Sequence, residues 1–593
     1  MLASAGGSRQ STIEEIGAFR DDKQHGTPGA IWTQPAVAPA VLVGCWLTNR
    51  QSGQDMDHPV RIAEHISWFA GSWFAGSWFA GSWFAGSLRL ELPQTMLADC
   101  SRSLVMTNVI WGRPGMNTSG HQLKVGLFGI GLDTYWPQFP GLQDRLIGYT
   151  EQVALNLANS QVRVINLGLI DTPEKSLVAG HEFRRADVDL IFLHVTTYAL
   201  SATVLPAVRR AKVPVIILNL APAAAIDYDR FNHMGDRAKM TGEWLAYCQA
   251  CPVPEIANVF NRCRIPFFQV SGMLENDPVA WGEIAEWIEA ARVAQVMEHN
   301  RLGLMGNYYG GMLDIYSDLT QQCAHFGGHI EILEVDELTA LRQEVSNSDL
   351  ERRVGEFRTV MEVQPDCPAE ELQRAARTSV ALDRLVEIHA LGSLAYYHKG
   401  VGSADNQDTI SSIILGTSLL TARGVPVAGE YEIKNAQAMK IMDSFGAGGS
   451  FTEYYAVDYN DDVVLMGHDG PGHIAIAEGK TKVRALEVYH GKLGHGLSVE
   501  MSVKLGPVTL LSIVQTADGR LKLLVAEGES VRGPILEIGN TNSRYRFSLG
   551  ARCFMNQWNV HGPAHHCAVG VGHVASKLKK LSALLDMECT QIC

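Results

Sequence analysis

The sequence lacks several features that mark well-defined protein classes. It has no excess of basic residues, since 49 Lys and Arg stand against 63 Asp and Glu, a formal net charge of −14. This balance argues against non-specific nucleic-acid binding, which needs a basic surface. The first 30 residues contain no apolar segment of the kind found in a secretory signal peptide. We therefore expect a cytoplasmic protein without a nucleic-acid partner.

Paired cysteine motifs are also scarce. The chain has 11 cysteines, an odd number, and their spacing is irregular. The nearest approach to a paired motif is CQAC, formed by Cys248 and Cys251. No second pair accompanies it, as a four-cysteine zinc site would require. We expect free thiols in a reducing compartment.

Two glycine-containing turns fall short of nucleotide-binding motifs. The GIG at 129–131 lacks the GxGxxG spacing of a dinucleotide fingerprint. No Walker lysine follows the glycines between Gly303 and Gly311. The sequence therefore predicts no nucleotide site at either turn.

Residues 1–120 do not resemble a folded domain. Four tandem copies of Ser-Trp-Phe-Ala-Gly run from Ser67 to Gly86, and a period of five fits neither a helix nor a strand. The tract has about the 20 residues of a membrane span, but its serines, its glycines and its lack of a positive flank weigh against insertion. We predict a non-globular extension and no membrane partner.

From Leu123 onward, strand-like apolar runs alternate with helical segments. The runs include KVGLFGIG, VRVINLGLID, VDLIFLHVTTY and VPVIILNLAP. Alternation of this kind predicts a parallel α/β sheet. A helical stretch then leads into a second α/β unit, whose first strand begins at Arg301.

The pattern changes after about residue 445. Short apolar runs are separated there by Gly, Asp and Asn, and TADGR carries the Asp-Gly cue of a hairpin. This favours an antiparallel barrel, with the chain closing in a helix over HVASKLKKLSALLDM. The predicted fold is two Rossmann- or flavodoxin-like parallel-sheet domains, at 121–295 and 296–440, followed by a mainly antiparallel β-barrel domain at 441–593.

Four potential metal ligands occupy distinctive settings in the last third of the chain. Each adjoins an apolar run or a glycine, where we expect a strand to end and a loop to begin. Carboxylate oxygens and imidazole nitrogens together suit a divalent ion such as Mn²⁺. The four residues are Glu430, Glu453, His468 and His566.

Nearby residues compete with three of these candidates. Glu432 follows Glu430 by two positions, His473 could replace His468 as a ligand, and His565 directly precedes His566. The residue pattern alone leaves these alternatives open.

The segments AGEYE, SFTEYY, MGHDGPGH and GPAHHCAVGVGH resemble the L-arabinose/L-fucose isomerase family, specifically its arabinose-isomerase-like branch. The resemblance covers roughly residues 121–593. It implies isomerisation of a free monosaccharide, with L-arabinose to L-ribulose as the leading expectation. It also implies that Glu430 and Glu453 bind metal and carry out acid–base catalysis, while His468 and His566 complete the coordination. A homo-oligomer, trimer or hexamer, with its active site between subunits, is implied as well.

Substrate contacts are predicted at His565, beside the metal-ligand candidates, and at two further places in the chain. The loop after the first strand lies where open α/β sheets bind ligands, although its side chains could equally be packing residues. His194 is placed like a family histidine that reaches a neighbouring subunit's active site, and the alternative is a hydrogen-bonded buried histidine. The predicted substrate-binding residues are Tyr135, Trp136, Gln138, His194 and His565.

Two segments depart from the family pattern. Asp469-Gly470-Pro471 follows His468 in place of apolar residues, and the first loop reads GIGLDTYWPQFPG. Both lie among candidate substrate contacts, so they leave the metal ligands intact and the sugar open. An isomerase of the L-fucose or D-arabinose type, or a non-catalytic sugar-binding homologue, therefore remain alternatives.

Overall fold

The structure, a computed structural model, describes residues 122–159, 161–399, 402–487 and 494–593. The SWFAG tract and the rest of the extension predicted at 1–120 lie outside the described residues. Within those ranges, no helix combines the length and the apolar character needed to cross a membrane.

The first sheet has five parallel strands in the order β2-β1-β3-β4-β5, an order typical of flavodoxin-like folds. Its strands are β1 (Leu123–Ile130), β2 (Val162–Ile170), β3 (Leu190–His194), β4 (Val215–Ala221) and β5 (Phe267–Met273). The helices of this region are α1 (Leu142–Leu157), α2 (Pro173–Ala186), α3 (Ser201–Ala211), α4 (Tyr228–Asn232), α5 (Arg237–Leu245), α6 (Val253–Cys263) and α7 (Pro278–Glu298).

Successive side chains of the central strands enter two different apolar cores. On β1, Val125 and Leu127 belong to one core, whereas Phe128 and Ile130 belong to the other. Both faces of the sheet are therefore covered. This is why these strands appear in the sequence as nearly continuous apolar runs rather than as an alternating pattern.

The second sheet has four parallel strands in the order β10-β9-β6-β7. The strands of this region are β6 (Arg301–Gly306), β7 (His329–Leu333), β8 (Glu362–Val363), β9 (Ser393–Tyr397) and β10 (Val427–Ala428). Its helices are α8 (Leu319–Phe326), α9 (Val335–Gln343), α10 (Asn347–Val360), α11 (Ala369–His389), α12 (Ala404–Ser411), α13 (Ile414–Ala422) and α14 (Ile433–Ser444).

The last third forms a closed barrel. Six antiparallel strands pair in the order β15-β18-β11-β12-β17-β16, and β16 pairs back onto β15. The strands of this region are β11 (Ser450–Asp458), β12 (Val463–His468), β13 (Lys482–Leu486), β14 (Gly496–Glu500), β15 (Gly506–Gln515), β16 (Leu521–Ser530), β17 (Thr541–Phe547), β18 (His566–Val571) and β19 (Glu588–Gln591). Its helices are α15 (Gly550–Val560) and α16 (Ala575–Leu584).

The predicted fold class is confirmed: two parallel α/β sheets precede a mainly antiparallel barrel. The TADGR hairpin is also confirmed, since it joins β15 to β16 through a bond from Thr516 N–H to the Arg520 carbonyl. The helix predicted over HVASKLKKLSALLDM is present as α16, and a short strand follows it. After α16 the chain forms β19, which pairs in parallel with β16 and covers that strand's backbone groups.

Two helices join the parts of the molecule that position the site. The helix α14 packs against strands of the second sheet and of the barrel, and it is buried along most of its length. The helix α7 follows the first sheet and pairs with α16, where Lys580 lies 2.7 Å from Glu286. A third link is a small sheet in which β13 pairs with both β8 and β14.

Candidate metal centre

Glu430 lies in a tight turn at the carboxyl end of the second sheet, between β10 and α14. Its φ angle is +56° and that of Tyr431 is +63°. Residues with side chains rarely adopt this left-handed conformation, and two in succession cost free energy. The surrounding packing holds the turn, because Tyr431 N–H bonds to the carbonyl of Tyr396 on β9. Glu430 is therefore presented from a rigid, strained turn rather than from a flexible loop.

The barrel supplies the other three candidates from adjacent strands. Glu453 on β11 is the register partner of His566 on β18. On its other side, Glu453 pairs with Gly467, which directly precedes His468. Facing residues of an antiparallel pair project to the same side of a sheet. Glu453 lies inside β11, so the expectation that it marks a strand end is wrong, whereas His468 ends β12 and His566 begins β18.

Three imidazoles direct Nε2 toward the carboxylate of Glu430. The distances to its oxygens are 3.4 Å from His566, 3.8 Å from His565 and 4.0 Å from His468. His468 Nε2 is also 4.0 Å from Glu453 Oε1. Among the described residues, two overlapping groups place their ligand atoms within 4.8 Å of one another: Glu430 with His565 and His566, and Glu453 with His468 and His566.

A carboxylate also stands on the Nδ1 side of each imidazole. Such a carboxylate favours the tautomer with its proton on Nδ1, which leaves Nε2 free to bind a metal. The three contacts with Nδ1 are Asp314 Oδ2 to His565 at 2.6 Å, Asp469 Oδ1 to His468 at 3.3 Å, and Glu432 Oε2 to His566 at 3.7 Å.

His468 has a second partner on the same nitrogen. The backbone N–H of Gly470 points at His468 Nδ1 from 3.0 Å, which favours the opposite tautomer. Metal binding through Nε2 therefore requires Nδ1 to donate to Asp469 instead. Asp469 is one of the residues that depart from the family pattern. Its position beside Nδ1 lets it influence which tautomer His468 adopts.

The donor set fits a divalent cation. Glu430 Oε2 and both ring nitrogens of His566 are buried without a hydrogen-bond partner in the described parts of the chain. Buried polar atoms without partners are rare in folded proteins, and here Glu430 Oε2 lies 3.4 Å from His566 Nε2. Glu430, Glu453, His468 and His566 would hold such an ion with the mixed oxygen and nitrogen donors that Mn²⁺ accepts.

The pKa values of the two glutamates are shifted in opposite directions by their surroundings in the protein. Burial opposes ionisation of Glu430, but the imidazoles of His565, His566 and His468 outweigh it and lower its pKa. Burial instead raises the pKa of Glu453. Burial lowers the pKa of His566 well below its ordinary value. It also opposes charge on His565, yet Glu430 and Asp314 raise that pKa to about 9.

Phe451 packs against the imidazole rings of both His468 and His566. Its ring centroid lies 4.4 Å from those of both His468 and His566, and the side chain is fully buried. Sequence reasoning did not single it out, because a phenylalanine in a strand is ordinarily a core residue. The available signal was its position two residues before Glu453, which places both side chains on one face of β11.

Comparison with known proteins finds the family that the sequence motifs resemble. The model of the L-arabinose isomerase C-terminal domain matches residues 448–588. The L-arabinose isomerase of Nocardioides sp. is 21% identical over 349 residues, which cover 56% of this chain and 68% of that protein. Over these residues the chain is similar to arabinose-isomerase-like proteins. The resemblance in the sequence motifs is thereby confirmed, and Glu453, His468 and His566 all lie within the matched domain.

Two solved structures show only a distant likeness. The apo form of D-lactate dehydrogenase from Escherichia coli is 10% identical with a TM-score of 0.12, covering 55% of this chain and 94% of that one. The pyruvate reductase of Chlamydomonas reinhardtii is 11% identical with a TM-score of 0.11, covering 56% and 96%. Similarity at this level supports no inference about fold or activity.

The three loop candidates of the first domain pack against their own domain. The indole N–H of Trp136 donates to Asp171 Oδ2 at 2.8 Å, and Tyr135 makes edge contacts with Trp136 and Phe139. Gln138 donates to the carbonyl of Thr134 at 2.6 Å. No hydrogen bond, ion pair or ring contact links these side chains to the four metal-ligand candidates in the described ranges. Their substrate role stays a prediction.

His194 is enclosed within the first domain. Its side chain is 1% exposed, and its Nδ1 lies 3.3 Å from Thr150 Oγ1. Burial lowers its pKa to about 3, so the imidazole is neutral. These surroundings match the alternative of a hydrogen-bonded buried histidine, and the contact of His194 with a neighbouring subunit's active site stays a prediction.

The competing ligands take other positions. Glu432 is fully buried, with Lys434 Nζ 3.6 Å from one oxygen. His473 is buried beside Asp443, with 3.7 Å between Nε2 and Oδ1. Neither residue belongs to the two groups of converging ligand atoms found in the described residues. His565 does belong to one of them, so the geometry leaves it beside the centre, with its Nε2 3.8 Å from Glu430 Oε2.

Proposed function

We propose that this chain is a divalent-metal-dependent aldose–ketose isomerase acting on a free monosaccharide, with L-arabinose to L-ribulose as the leading reaction. The observation that carries the proposal is the convergence of Glu430, Glu453, His468 and His566 in two overlapping groups that share His566. Kinship with an L-arabinose isomerase supports the choice of reaction. The low identity leaves L-fucose and D-arabinose as further sugars to test.

The reaction needs two proton-transfer groups and a centre of positive charge. Aldose–ketose conversion by an enediol removes the proton from C2, delivers a proton to C1 and moves one hydroxyl proton from O2 to O1. All atoms and electrons stay within the sugar and the acid–base groups, so no external oxidant or reductant takes part. A site for this chemistry must therefore hold C1 and C2 between proton carriers.

Glu430 and Glu453 are suited to carry those protons. They come from different parts of the fold, the turn after β10 and the barrel strand β11, and His468 Nε2 lies 4.0 Å from an oxygen of each. His565 stands at the edge of the same centre, where its imidazole can bond a substrate oxygen. When bound, a divalent cation, for which we propose Mn²⁺, supplies a Lewis acid that stabilises negative charge on O1 and O2.

The direct test measures ketose formation by the full chain. The protein is stripped with a chelator, reloaded separately with Mn²⁺, Co²⁺, Mg²⁺ or Ca²⁺, and incubated with L-arabinose, L-fucose, D-arabinose and further pentoses and 6-deoxyhexoses. We expect turnover that disappears on chelation, returns with Mn²⁺ and is abolished by Glu453→Gln. Sugar binding that ignores chelation, with no turnover of any sugar, would identify a non-catalytic sugar-binding protein instead.

Two further properties follow from the resemblance to this family and are part of the proposal. We propose a homo-oligomer, trimer or hexamer, and a cytoplasmic location. Light scattering coupled to size-exclusion chromatography of the full chain measures the first, and cell fractionation measures the second. A monomer with full isomerase activity would contradict an active site shared between subunits.

A further inference from the structure

Asp314 joins the loop after β6 to the barrel at a single residue, His565. Its Oδ2 accepts two hydrogen bonds from that residue, one from the backbone N–H at 3.0 Å and one from the imidazole Nδ1 at 2.6 Å. Two bonds fix both the position of the His565 backbone and the rotation of its ring. With Nδ1 directed at Asp314, Nε2 faces Glu430 Oε2 at 3.8 Å.

The backbone of Asp314 is held from the opposite side. Lys434 Nζ donates to the carbonyl of Asp314 at 2.7 Å and approaches that of Tyr316 at 3.4 Å. The side chain of Lys434 is 3% exposed and lies on α14, which starts directly after the turn that presents Glu430. The loop and this metal-ligand candidate are therefore attached to the same rigid helix.

Aromatic contacts anchor the two ends of the loop while its middle faces solvent. Tyr308 packs against both Tyr316 and Tyr431, with ring centroids 4.8 Å apart in each pair. Between these anchors, Gly310 and Gly311 are exposed. The contacts of Asp314 therefore fall where the anchored part of the loop meets the barrel.

We propose that Asp314 is a positioning residue, which holds the loop at 307–317 against the barrel and sets the imidazole of His565 beside Glu430 to bond a substrate oxygen. The inference rests on the proposed isomerase function. It adds a residue of the second domain that acts through His565 and does not touch the metal ligands. The loss of this carboxylate should therefore impair turnover more than metal binding.

Asp314→Ala removes the oxygen that accepts both hydrogen bonds, whereas Asp314→Asn keeps one carbonyl oxygen. We expect kcat to fall about tenfold or more in Asp314→Ala, as when carboxylates that orient a histidine are removed, and to fall less in Asp314→Asn. Mn²⁺ affinity, measured by calorimetry, is expected to stay within about twofold in both. A kcat unchanged in Asp314→Ala would overturn the proposal.

Asp318→Ala is the matched control. Asp318 directly follows the loop at 307–317 and caps α8 by accepting from the Thr320 and Gln321 N–H groups, without a contact to His565 among the described residues. We expect it to lower thermal stability and to leave kcat unchanged. An equal loss of kcat in Asp318→Ala would mean that the fall of kcat in Asp314→Ala comes from general loosening of the loop, and it would overturn the proposal.

A double-mutant cycle tests whether Asp314 acts through His565. If it does, Asp314→Ala combined with His565→Gln will be no slower than His565→Gln alone, because the effects of coupled residues do not multiply. Multiplying effects would overturn the proposal.

Hydrogen exchange separates the failure of this inference from the failure of the proposed function. In the full chain, without any substrate, Asp314→Ala and His565→Gln should each speed exchange in the peptide spanning 307–317, and the double variant should add nothing. If the wild-type chain isomerises no sugar, the proposed function fails, but hydrogen exchange still shows whether the Asp314–His565 contact holds the loop. Unchanged exchange in both single variants would overturn the proposal that this contact holds the loop.

Discussion

Glu453 on β11 stands directly opposite His566 on β18 in the antiparallel ladder of the barrel. The pairing places a carboxylate and an imidazole on one face of the sheet, although their strands are far apart in the chain. His468 ends the neighbouring strand β12, and its Nε2 lies 4.0 Å from Glu453 Oε1. Strand register therefore sets the pairing of Glu453 with His566, the end of β12 brings in His468, and the turn before α14 brings in Glu430.

Divalent metal is expected to stabilise the full chain. A ligand that binds only the folded state at one hundred times its Kd adds about 2.7 kcal/mol to the free energy of unfolding. Mn²⁺ should therefore raise the unfolding temperature of chelator-treated protein, measured by calorimetry, and Glu453→Gln should remove most of the rise. The control is Glu537→Gln, an exposed position. The same Mn²⁺ response in both variants would place the metal elsewhere.

Phe451 is expected to govern metal affinity through the rings it supports. Truncation to Ala leaves a cavity that costs about 3–5 kcal/mol, so Phe451→Leu is the more informative change. We expect Phe451→Leu to weaken Mn²⁺ binding several-fold in a calorimetric titration, because His468 and His566 lose the surface that fixes their orientation.

Phe128→Leu provides the comparison for this variant. Phe128 is fully buried in a core of the first domain, so its substitution costs stability of a similar kind. It should leave Mn²⁺ affinity unchanged. If both variants weaken binding equally, the effect of Phe451→Leu reflects global stability and not support of the imidazoles.

The contribution of the buried pair Lys434–Glu432 to the free energy of unfolding is expected to require both side chains. The two side chains are 3% and 0% exposed, and their charged atoms lie 3.6 Å apart. Lys434→Met would leave a buried carboxylate without its partner and should lower the free energy of unfolding by about 3–5 kcal/mol, measured in urea. The double variant Glu432→Gln with Lys434→Met should recover most of that loss. No recovery would show that Lys434 stabilises the fold mainly through its bonds to the loop carbonyls.

His194 is expected to make the protein sensitive to acid. Its folded pKa is about 3 against 6.5 for the ordinary group, so below about pH 6.5 the unfolded chain takes up a proton that the folded chain refuses. Stability contributed by the neutral imidazole therefore falls as pH drops from about 6.5 toward 3, by up to about 1.4 kcal/mol per pH unit.

His194→Gln should remove this part of the pH dependence. Urea unfolding at pH 5, 6 and 7 measures it, with the exposed His299→Gln as the comparison. A slope that persists unchanged in His194→Gln would mean that other groups cause the acid sensitivity.

Several parts of this structure were accessible from local patterns. Apolar strand-like runs alternating with helical segments predicted a parallel sheet, and three of these runs became β1, β3 and β4. The TADGR turn predicted the β15–β16 hairpin. Glu430, Glu453, His468 and His566 stood out by residue type and by their neighbours. Asp314, Phe451 and Lys434 did not, because an aspartate in a loop, a phenylalanine in a strand and a lysine on a helix have common structural explanations.

The sequence by itself determined which segments would be strands and helices and which side chains were chemically able to bind a metal, since both depend on residue type and short-range periodicity. Only the tertiary structure decided that Glu453 faces His566, that Asp314 bonds to His565, and that His194 is enclosed. Such pairings depend on the register between strands distant in the chain and on the turn that carries Glu430. Register and loop closure are settled by the packing of the whole molecule, which no local pattern encodes.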